Sequence, residues 1–340
     1  MADLRNAIGA NFPRHGGDIA SACRLYGVPE ADWLDLSTGI NPAHFPVPVL
    51  TAADFSRLPD PGRLADLLET ARRIYGVPDG VGLIALPGIE TGIRLLSAIV
   101  GNGRAAIVSP TYRTHAEAWR AAGHDVIEVR SVEAVPDDAA FAVVVNPNNP
   151  DGRLFDPVAI APLSLQLGDR AGFVVVDESF ADLAPEVSLI PHLTKLPAVV
   201  FRSLGKFYGL AGLRLGFAAG PDPVLDRVSR LAGDWPVSGP AIAVGMAAMA
   251  DEAWRAETQA RLKLAADRLH EILDRHGLET IGGTDLFILV ADDAAPAIHE
   301  ALARRGIWTR VFDYNPGWLR IGLPPPDGFE RLDRALNEVL

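Results

Sequence analysis

The stretch that decides the fold is FRSLGKFYGLAGLRLGFAAG, Phe201–Gly220. It sets one lysine, Lys206, among glycines and apolar residues, with Ser203 three residues before it and Arg214 eight residues after it. Burial penalises an ammonium group, so an amine in this setting loses its charge readily and becomes a nucleophile for aldehydes. A serine and an arginine nearby suit an anion. The stretch therefore predicts an amine that binds an aldehyde beside an anion site.

The sequence also predicts the sheet that carries this lysine. Four short apolar runs, rich in β-branched residues, each end in polar or turn residues: AAIVSP, FAVVVNP, GFVVVDES and AVVFRS. Such runs are typical of buried strands in a parallel sheet with helices on both faces. RLADLLETARRIYG has the apolar spacing of a helix. Because ligands of open α/β sheets bind at the carboxyl ends of the strands, we expect the site there.

Two domains are expected from the change of pattern along the chain. Residues 41–238 carry the alternating helices and strands and would form a large α/β domain with a mostly parallel sheet. A long helical pattern then runs from Gly239 to roughly His276, and TDLFILVAD and GWLRIGLP are predicted strands around another helix. These features predict a smaller α+β domain made of residues 239–340 together with residues 1–40.

Composition excludes several classes of protein. The net charge of −12 argues against non-specific nucleic-acid binding, which depends on clustered Lys and Arg. No apolar run reaches the roughly 18 to 20 residues that span a bilayer, and the N-terminus lacks the basic start and apolar core of a signal peptide. The single cysteine, Cys23, excludes an internal disulfide and a cysteine-built zinc site, and no metal is expected. Together these properties favour a soluble cytoplasmic protein.

Pyridoxal phosphate is an aldehyde that matches the surroundings of Lys206. Its pyridine nitrogen needs a carboxylate, its phosphate needs N–H donors and an arginine, and its ring needs a flat partner. Residues of these types follow the predicted strands. The candidate cofactor-binding residues are Gly88, Ile89, Glu90 and Thr91 for the phosphate, Tyr112 for stacking, Asn149 for the ring hydroxyl, Asp177 for the ring nitrogen, Ser203 and Arg214 for the phosphate, and Lys206 for the aldehyde.

Each of these residues alone has a plainer explanation. Lys206 could be a solvated surface lysine, Asp177 a helix cap, and NPNNPDG only a turn. Their joint occurrence, in this order and each after a strand, makes the prediction specific. Lys206 and Asp177 are the expected catalytic residues.

The whole set resembles the fold-type I pyridoxal-phosphate enzymes of the aspartate aminotransferase superfamily. The matching motifs are NPNNPDG, VDES, SLGKFYGLAGLRLG and LRIGL. The resemblance implies a homodimer, and it implies that Arg320 binds the substrate α-carboxylate through a two-pronged guanidinium contact. Two positions depart from the superfamily pattern. Phe180 stands where a tyrosine often bonds the ring hydroxyl, and Leu58 stands in LPDP where relatives have a YPDP tyrosine that reaches the neighbouring subunit's cofactor.

The N-terminal segment narrows the resemblance. RHGGDIASACRLYG followed by WLDLSTGINPAHFP is similar to the start of L-threonine-O-3-phosphate decarboxylases of cobalamin biosynthesis, close relatives of histidinol-phosphate aminotransferases. It implies the product (R)-1-amino-2-propanol O-2-phosphate and a phosphorylated amino acid as substrate. His15 has an equally plain explanation as a loop residue, and Arg14 is a further candidate. The candidate substrate-binding residues are His15, Gly39, Asn41, Asn149, Arg153 and Arg320.

Two other functions fit the same cofactor motifs. An aminotransferase acting on histidinol phosphate or an aromatic amino acid would need the same cofactor site. A catalytically inactive protein of the same fold, used as a regulator or scaffold, is the third possibility, because fold alone does not fix function. Product analysis separates the first two, and a colourless protein without a borohydride-trapped adduct on Lys206 would favour the third.

Overall fold

The computed structural model describes residues 15–340, and contacts divide the chain into two compact units. The larger unit is His44–Thr258. The smaller unit joins the described residues up to Ala43 with Gln259–Leu340. No helix within the described range is both long and apolar enough to cross a membrane.

Strands alternate with helices through the larger unit and cluster near the C-terminus of the smaller one. The strands are β1 Leu34–Asp35, β2 Gly82–Leu86, β3 Arg104–Val108, β4 Asp125–Val129, β5 Phe141–Val145, β6 Phe173–Asp177, β7 Ala198–Ser203, β8 Gly216–Gly220, β9 Glu279–Thr284, β10 Phe287–Ala291, β11 Ile307–Trp308, β12 Arg310–Phe312 and β13 Asn315–Gly322.

The helices follow the same alternation. They are α1 Ile19–Tyr26, α2 Ala52–Ser56, α3 Pro61–Tyr75, α4 Ile89–Ile99, α5 Thr114–Ala121, α6 Pro157–Gly168, α7 Asp222–Ala232, α8 Gly239–Ala250, α9 Glu252–Arg275, α10 Ala295–Ala303 and α11 Gly328–Val339. The four strands predicted from apolar runs are present as β3, β5, β6 and β7.

The larger unit contains a seven-stranded sheet in the order β2-β8-β7-β6-β5-β3-β4. β8 pairs antiparallel with both of its neighbours, and the other pairs are parallel. Every residue of β5 and β6 is buried, as expected for strands covered on both faces. Side chains of α4, α5 and α7 pack with Ile107, Val143 and Val175 on one face. The mostly parallel α/β sheet predicted from the sequence is therefore confirmed.

The smaller unit contains a four-stranded antiparallel sheet in the order β12-β13-β10-β9. β1 pairs in parallel with β11. Just after β1, the backbone of Leu36 donates to Trp308 O and accepts from Gly322 N, both at 2.7 Å. The segment after β1 is thus held by hydrogen bonds to the ends of β11 and β13.

Two details differ from the sequence analysis. The helix expected from Gly239 to His276 is two helices, because Asp251 leaves the helical conformation and its Oδ1 accepts from Trp254 N at 2.9 Å to cap α9. The smaller unit resumes at Gln259, later than the expected boundary at residue 239. The reason is that α8 packs on α2 and α3 of the larger unit.

Candidate active site

One edge of the seven-stranded sheet collects the candidate cofactor residues. The carboxyl ends of β2, β3, β5, β6 and β7 lie at this edge, because these strands are parallel to one another. β8 runs the opposite way, so its first residue, Gly216, lies at the same edge and Arg214 just before it. The sheet topology thus places residues from six strand ends together.

Asp177 ends β6 and is 2% exposed. Its Oδ2 contacts His115 Nε2 at 2.9 Å, and its Oδ1 accepts from Ser179 N at 3.0 Å and Ser179 Oγ at 2.6 Å. Burial alone would raise the pKa of the Asp177 carboxyl, but the His115 and Ser179 contacts outweigh burial and lower it. Asp177 is therefore a buried carboxylate that stays ionised, as a partner for a protonated ring nitrogen must.

His115 lies in the first turn of α5 and is fully buried. A hydrogen bond to the carboxylate of Asp177 requires the proton on Nε2. The other ring nitrogen, Nδ1, has no hydrogen-bond partner in the described part of the chain. Tyr112 packs edge-on against the imidazole with ring centroids 6.2 Å apart. His115 is not among the residues predicted from the sequence; its spacing of three residues from Tyr112, in SPTYRTH, was the available signal.

An anion cradle forms where α4 begins. Gly88 precedes the helix with φ +81°, and a Cβ placed there would lie 2.5 Å from Arg214 Nη2. Arg214 is itself in the left-handed region at φ +55°, which costs a non-glycine residue about 1–2 kcal/mol, and its side chain is exposed. Ser203 Oγ accepts from Gly205 N at 3.1 Å nearby in the chain. A helix N-terminus with an arginine against it is suited to a phosphate.

Lys206 follows β7 in the turn that leads to Arg214. Lys206 is partly exposed, not buried as expected from the sequence. Nζ lies 5.6 Å from the ring centroid of Phe180. The residue in the place of the superfamily tyrosine therefore presents a ring face to the lysine and no hydroxyl.

The NPNNPDG turn after β5 contains the candidate Asn149 and two further asparagines, Asn146 and Asn148. Hydrogen bonds of these two side chains hold the turn in shape. Asn146 Nδ2 donates to Phe155 O at 2.8 Å, and Asn148 Nδ2 donates to Asp151 Oδ1 at 2.7 Å. Both side chains are buried, whereas Asn149 is partly exposed. The turn thus fixes the backbone position of Asn149 at the edge of the sheet.

Arg320 lies on β13 and is 7% exposed. Its Nη2 donates to Ser37 O at 2.7 Å, and its guanidinium lies 5.0 Å from the Phe287 ring centroid. Burial and then the charge of Arg310 lower the pKa of Arg320 to about 10, so the group stays positive at neutral pH. Arg310 faces Arg320 directly in the β12–β13 register. Two cations opposed in this way repel, which favours the binding of anionic groups beside them.

A small hollow in the same unit is lined by His15, Gly16, Ser37 and Arg310. Gly17 N donates to Ser37 Oγ at 2.8 Å, so the His-Gly-Gly loop is fastened to the segment after β1. His15 is exposed at the rim. Arg310, absent from the sequence analysis, joins the candidate substrate residues through this arrangement. Recognising Arg310 from the sequence would have required pairing β12 with β13 in the register that sets it opposite Arg320.

The remaining candidates are placed as follows. Arg153 Nε contacts Asp151 Oδ2 at 2.8 Å, and its Nη1 donates to Arg130 O at 3.1 Å, so its guanidinium is engaged within the chain. Gly39 is buried, and Asn41 Oδ1 accepts from Ala43 N at 3.0 Å. Arg14 lies outside the described residues.

The donor set of the larger unit fits pyridoxal phosphate. It offers an ionised buried carboxylate for the ring nitrogen, an arginine against a helix N-terminus for the phosphate and a lysine amine for the aldehyde. A side chain at Gly88 would displace the arginine, so the cradle is kept open by the glycine. Fold and site together define the class: a fold-type I pyridoxal-phosphate enzyme.

Comparisons with known proteins agree. The aminotransferase class I and II family matches residues 33–337, and the chain belongs to that family. It is 42% identical to the threonine-phosphate decarboxylase of Pseudomonas aeruginosa, over 95% of this chain and 96% of that protein. A threonine-phosphate decarboxylase from Sinorhizobium sp is 40% identical, over 96% of this chain and 98% of that protein. A crystal structure of histidinol-phosphate aminotransferase from Sinorhizobium meliloti with pyridoxal-5'-phosphate has a TM-score of 0.80 at 21% identity, covering 96% of this chain and 95% of that one.

Proposed function

We propose that this chain decarboxylates L-threonine O-3-phosphate with pyridoxal 5'-phosphate, giving (R)-1-amino-2-propanol O-2-phosphate and carbon dioxide for cobalamin biosynthesis. The observation that carries the proposal is the 42% identity, along 95% of the chain, with a protein named threonine-phosphate decarboxylase. The aminotransferase alternative has weaker support, because a relative named histidinol-phosphate aminotransferase, from Cupriavidus pinatubonensis, is 28% identical over 96% of the chain.

The roles in the larger unit follow from the geometry of the edge. Asp177 would bind the protonated ring nitrogen, Arg214 and the N–H groups at the start of α4 the phosphate, and Tyr112 the ring face. When bound, pyridoxal phosphate supplies an electron sink for a bond broken at the substrate α-carbon. Lys206 Nζ would bind the aldehyde, and after carbon dioxide leaves it would return one proton to that carbon.

The roles in the smaller unit concern the two anions of the substrate. Arg320 would bind the α-carboxylate, and Arg310 with His15 would bind the phosphate. Decarboxylation requires the bond from the α-carbon to the carboxylate to be perpendicular to the cofactor ring. Transamination requires the C–H bond of the α-carbon to be perpendicular instead. Small rotations decide between them. Binding the carboxylate and the phosphate of the substrate at once would fix this rotation. The pair Arg310 and Arg320 therefore supports decarboxylation.

The chain would act as a cytoplasmic homodimer. Val47, Val49, Phe55 and Leu58 are each half or more exposed within a short segment of the larger unit. Exposed apolar clusters of this kind are typical of interaction surfaces. A second copy of the chain is the partner that the fold-type I resemblance implies.

One assay tests the proposal. Purified protein with pyridoxal phosphate and threonine phosphate, without an oxo acid, should release carbon dioxide and aminopropanol phosphate in equal amounts. Formation of an amino acid from 2-oxoglutarate, with no carbon dioxide, would instead identify an aminotransferase. Lys206→Ala should lower kcat by at least about 100-fold and abolish the borohydride-trapped adduct, whereas Lys195→Ala should change neither.

A further inference from the structure

A cluster of three buried charges lies behind the cofactor edge and is not used by the proposed reaction. Arg202 Nη1 contacts Glu178 Oε2 at 3.1 Å, and its Nη2 contacts Asp182 Oδ1 at 2.7 Å. The exposed fractions of Arg202, Glu178 and Asp182 are 4%, 0% and 6%. Two carboxylates therefore share one guanidinium in the interior of the larger unit.

Further contacts fix each end of the cluster. Glu178 Oε2 accepts from Ser188 Oγ at 2.7 Å, and its Oε1 accepts from Leu189 N at 2.6 Å. The guanidinium of Arg202 lies 4.3 Å from the ring centroid of Tyr75, the last residue of α3. The cluster thus joins the residue after β6, the turn at 188–189, the end of β7 and α3.

The position of the cluster relates it to the cofactor residues. Glu178 directly follows Asp177, and Arg202 directly precedes Ser203. Asp177 is paired with Phe201 in the β6–β7 register, and Ser203 is two residues beyond Phe201 on the same strand. Side chains alternate along a strand, so Asp177 and Ser203 share one face of the sheet and Arg202 lies on the other.

Stability alone does not account for this cluster. Removing charges from water costs several kcal/mol per ion, so a buried ion pair commonly stabilises a fold no more than apolar side chains of the same volume. Burial would lower the pKa of Arg202, but the charges of Asp182 and Glu178 raise it, so the guanidinium stays charged. What charged hydrogen bonds add over apolar contacts is a fixed geometry between their partners.

We propose that Arg202 is a positioning residue for the cofactor: by bridging Glu178 and Asp182 it fixes the spacing between Asp177 and Ser203, the groups that face the ring nitrogen and the phosphate. Arg202 touches neither cofactor nor substrate in this role. The inference depends on the cofactor of the family and not on the proposed reaction. The result of the decarboxylation assay therefore neither supports nor contradicts it.

The experiment compares Arg202→Met, which removes both ion pairs, with Arg202→Lys, which keeps the charge. Reconstituted holoenzyme is titrated for pyridoxal-phosphate affinity and scanned for its visible absorption band. Arg202→Met should weaken cofactor binding by about tenfold or more and shift the band, because contacts of Asp177 and Ser203 change together. Arg202→Lys should recover part of the affinity.

A matched control separates positioning from general stability. His124 is a buried polar side chain in the larger unit. Its Nε2 lies 2.9 Å from Ser97 O, and its Nδ1 lies 3.3 Å from Gly103 O. Gly103 directly precedes β3, so His124 lies away from the edge that carries the candidate cofactor residues. His124→Leu should lower the melting temperature and leave cofactor affinity and absorption unchanged. If Arg202→Met behaves like His124→Leu, the cluster is only structural and the proposal is wrong.

A second pair of variants decides the matter if Arg202→Met does not fold. Asp182→Asn keeps an oxygen that can accept from Arg202 Nη2, whereas Asp182→Ala removes it. Asp182→Ala should weaken cofactor binding and Asp182→Asn should largely retain it. Equal cofactor affinity in both variants and the unmodified chain would overturn the proposal.

Discussion

At the scale of single residues, the contact of Asp177 with His115 helps to lower the pKa of the buried Asp177 carboxyl. Replacing His115 by Leu should raise the pKa of Asp177, because burial remains while the strongest lowering contact is lost. We expect cofactor affinity to fall by about tenfold, the effect of one hydrogen bond to a charged group. His115→Gln, whose amide N–H can still donate a hydrogen bond to Asp177, should retain more affinity. Titration of each variant with pyridoxal phosphate measures the difference.

The same variant should also change acid stability. The pKa of Asp177 is depressed in the folded protein, so its ionised form stabilises the fold above its unfolded value of about 3.9, and that contribution is lost as pH falls through the folded pKa. His115→Leu should therefore unfold at a higher pH in an acid titration followed by circular dichroism. His276→Leu is the control: it removes the same kind of contact from Asp333 at 2.8 Å, but that carboxylate is partly exposed, so the midpoint should shift less. Equal midpoints for His115→Leu and the unmodified chain would contradict the assignment.

Which residues the sequence could identify depended on whether their neighbours in the chain carried the signal. Asp177 and Lys206 follow predicted strands, so their place at the sheet edge could be inferred from the strands alone. His115 could not be assigned in the same way, because its role comes from a contact with a residue 62 positions away. Arg310 was missed for the same reason: its partner is defined by the β12–β13 register.

At the scale of elements, the start of α4 depends on the absence of a side chain at Gly88. Gly88→Ala would place Cβ 2.5 Å from Arg214 Nη2 in a left-handed conformation, so we expect both strain and a displaced arginine. Gly80→Ala is the matched control, because Gly80 has φ +75° but nothing within 4 Å of its Cβ position. Both variants should lose about 1–2 kcal/mol of unfolding free energy. Only Gly88→Ala should also lose cofactor affinity; an equal loss in Gly80→Ala would refute the cradle.

The His-Gly-Gly loop is the element on which the proposed substrate specificity depends. A Cβ on Gly16 would lie 2.2 Å from Ser37 O, a backbone atom that cannot move cheaply, so Gly16→Ala should lift His15 from its place. We expect KM for threonine phosphate to rise by about tenfold with little change in kcat, as for a lost ground-state contact. Steady-state kinetics check this. Gly101→Ala, with nothing within 4 Å of its Cβ, should leave KM unchanged.

Helices and strands with a clear pattern of apolar residues could be predicted from the sequence, whereas short or interrupted ones could not. β5 and β6 each contain three consecutive valines and are buried along their whole length, a pattern typical of a strand covered on both faces. The break between α8 and α9 at Asp251 was missed because the apolar pattern continues across it, and the capping bond to Trp254 N is visible only in three dimensions. β11 and β12 are two and three residues long, too short for a period.

At the scale of the whole molecule, an acidic chain is proposed to bind a substrate with two anionic groups. The net charge of −12 opposes the approach of an anion, so local cations must overcome the mean field. Arg310 and Arg320 in the smaller unit and Arg214 in the larger one are the cations that the proposal uses. In the proposal, the positions of these arginines, and not their number, would allow the acidic protein to bind anionic groups.

The larger unit exposes a short apolar segment, residues 47–58, that we expect to form the dimer interface. Val49 is 97% exposed and Phe55 is 69% exposed, an arrangement that costs solubility unless a second copy covers it. The unmodified chain should sediment as a dimer at micromolar concentration, and the double variant Val49→Asp/Phe55→Asp should sediment as a monomer, because buried unpaired carboxylates oppose association. Leu264→Asp, at a position 71% exposed on α9, should remain dimeric. A monomeric unmodified chain, or a double variant that stays dimeric, would show that this segment is not the interface.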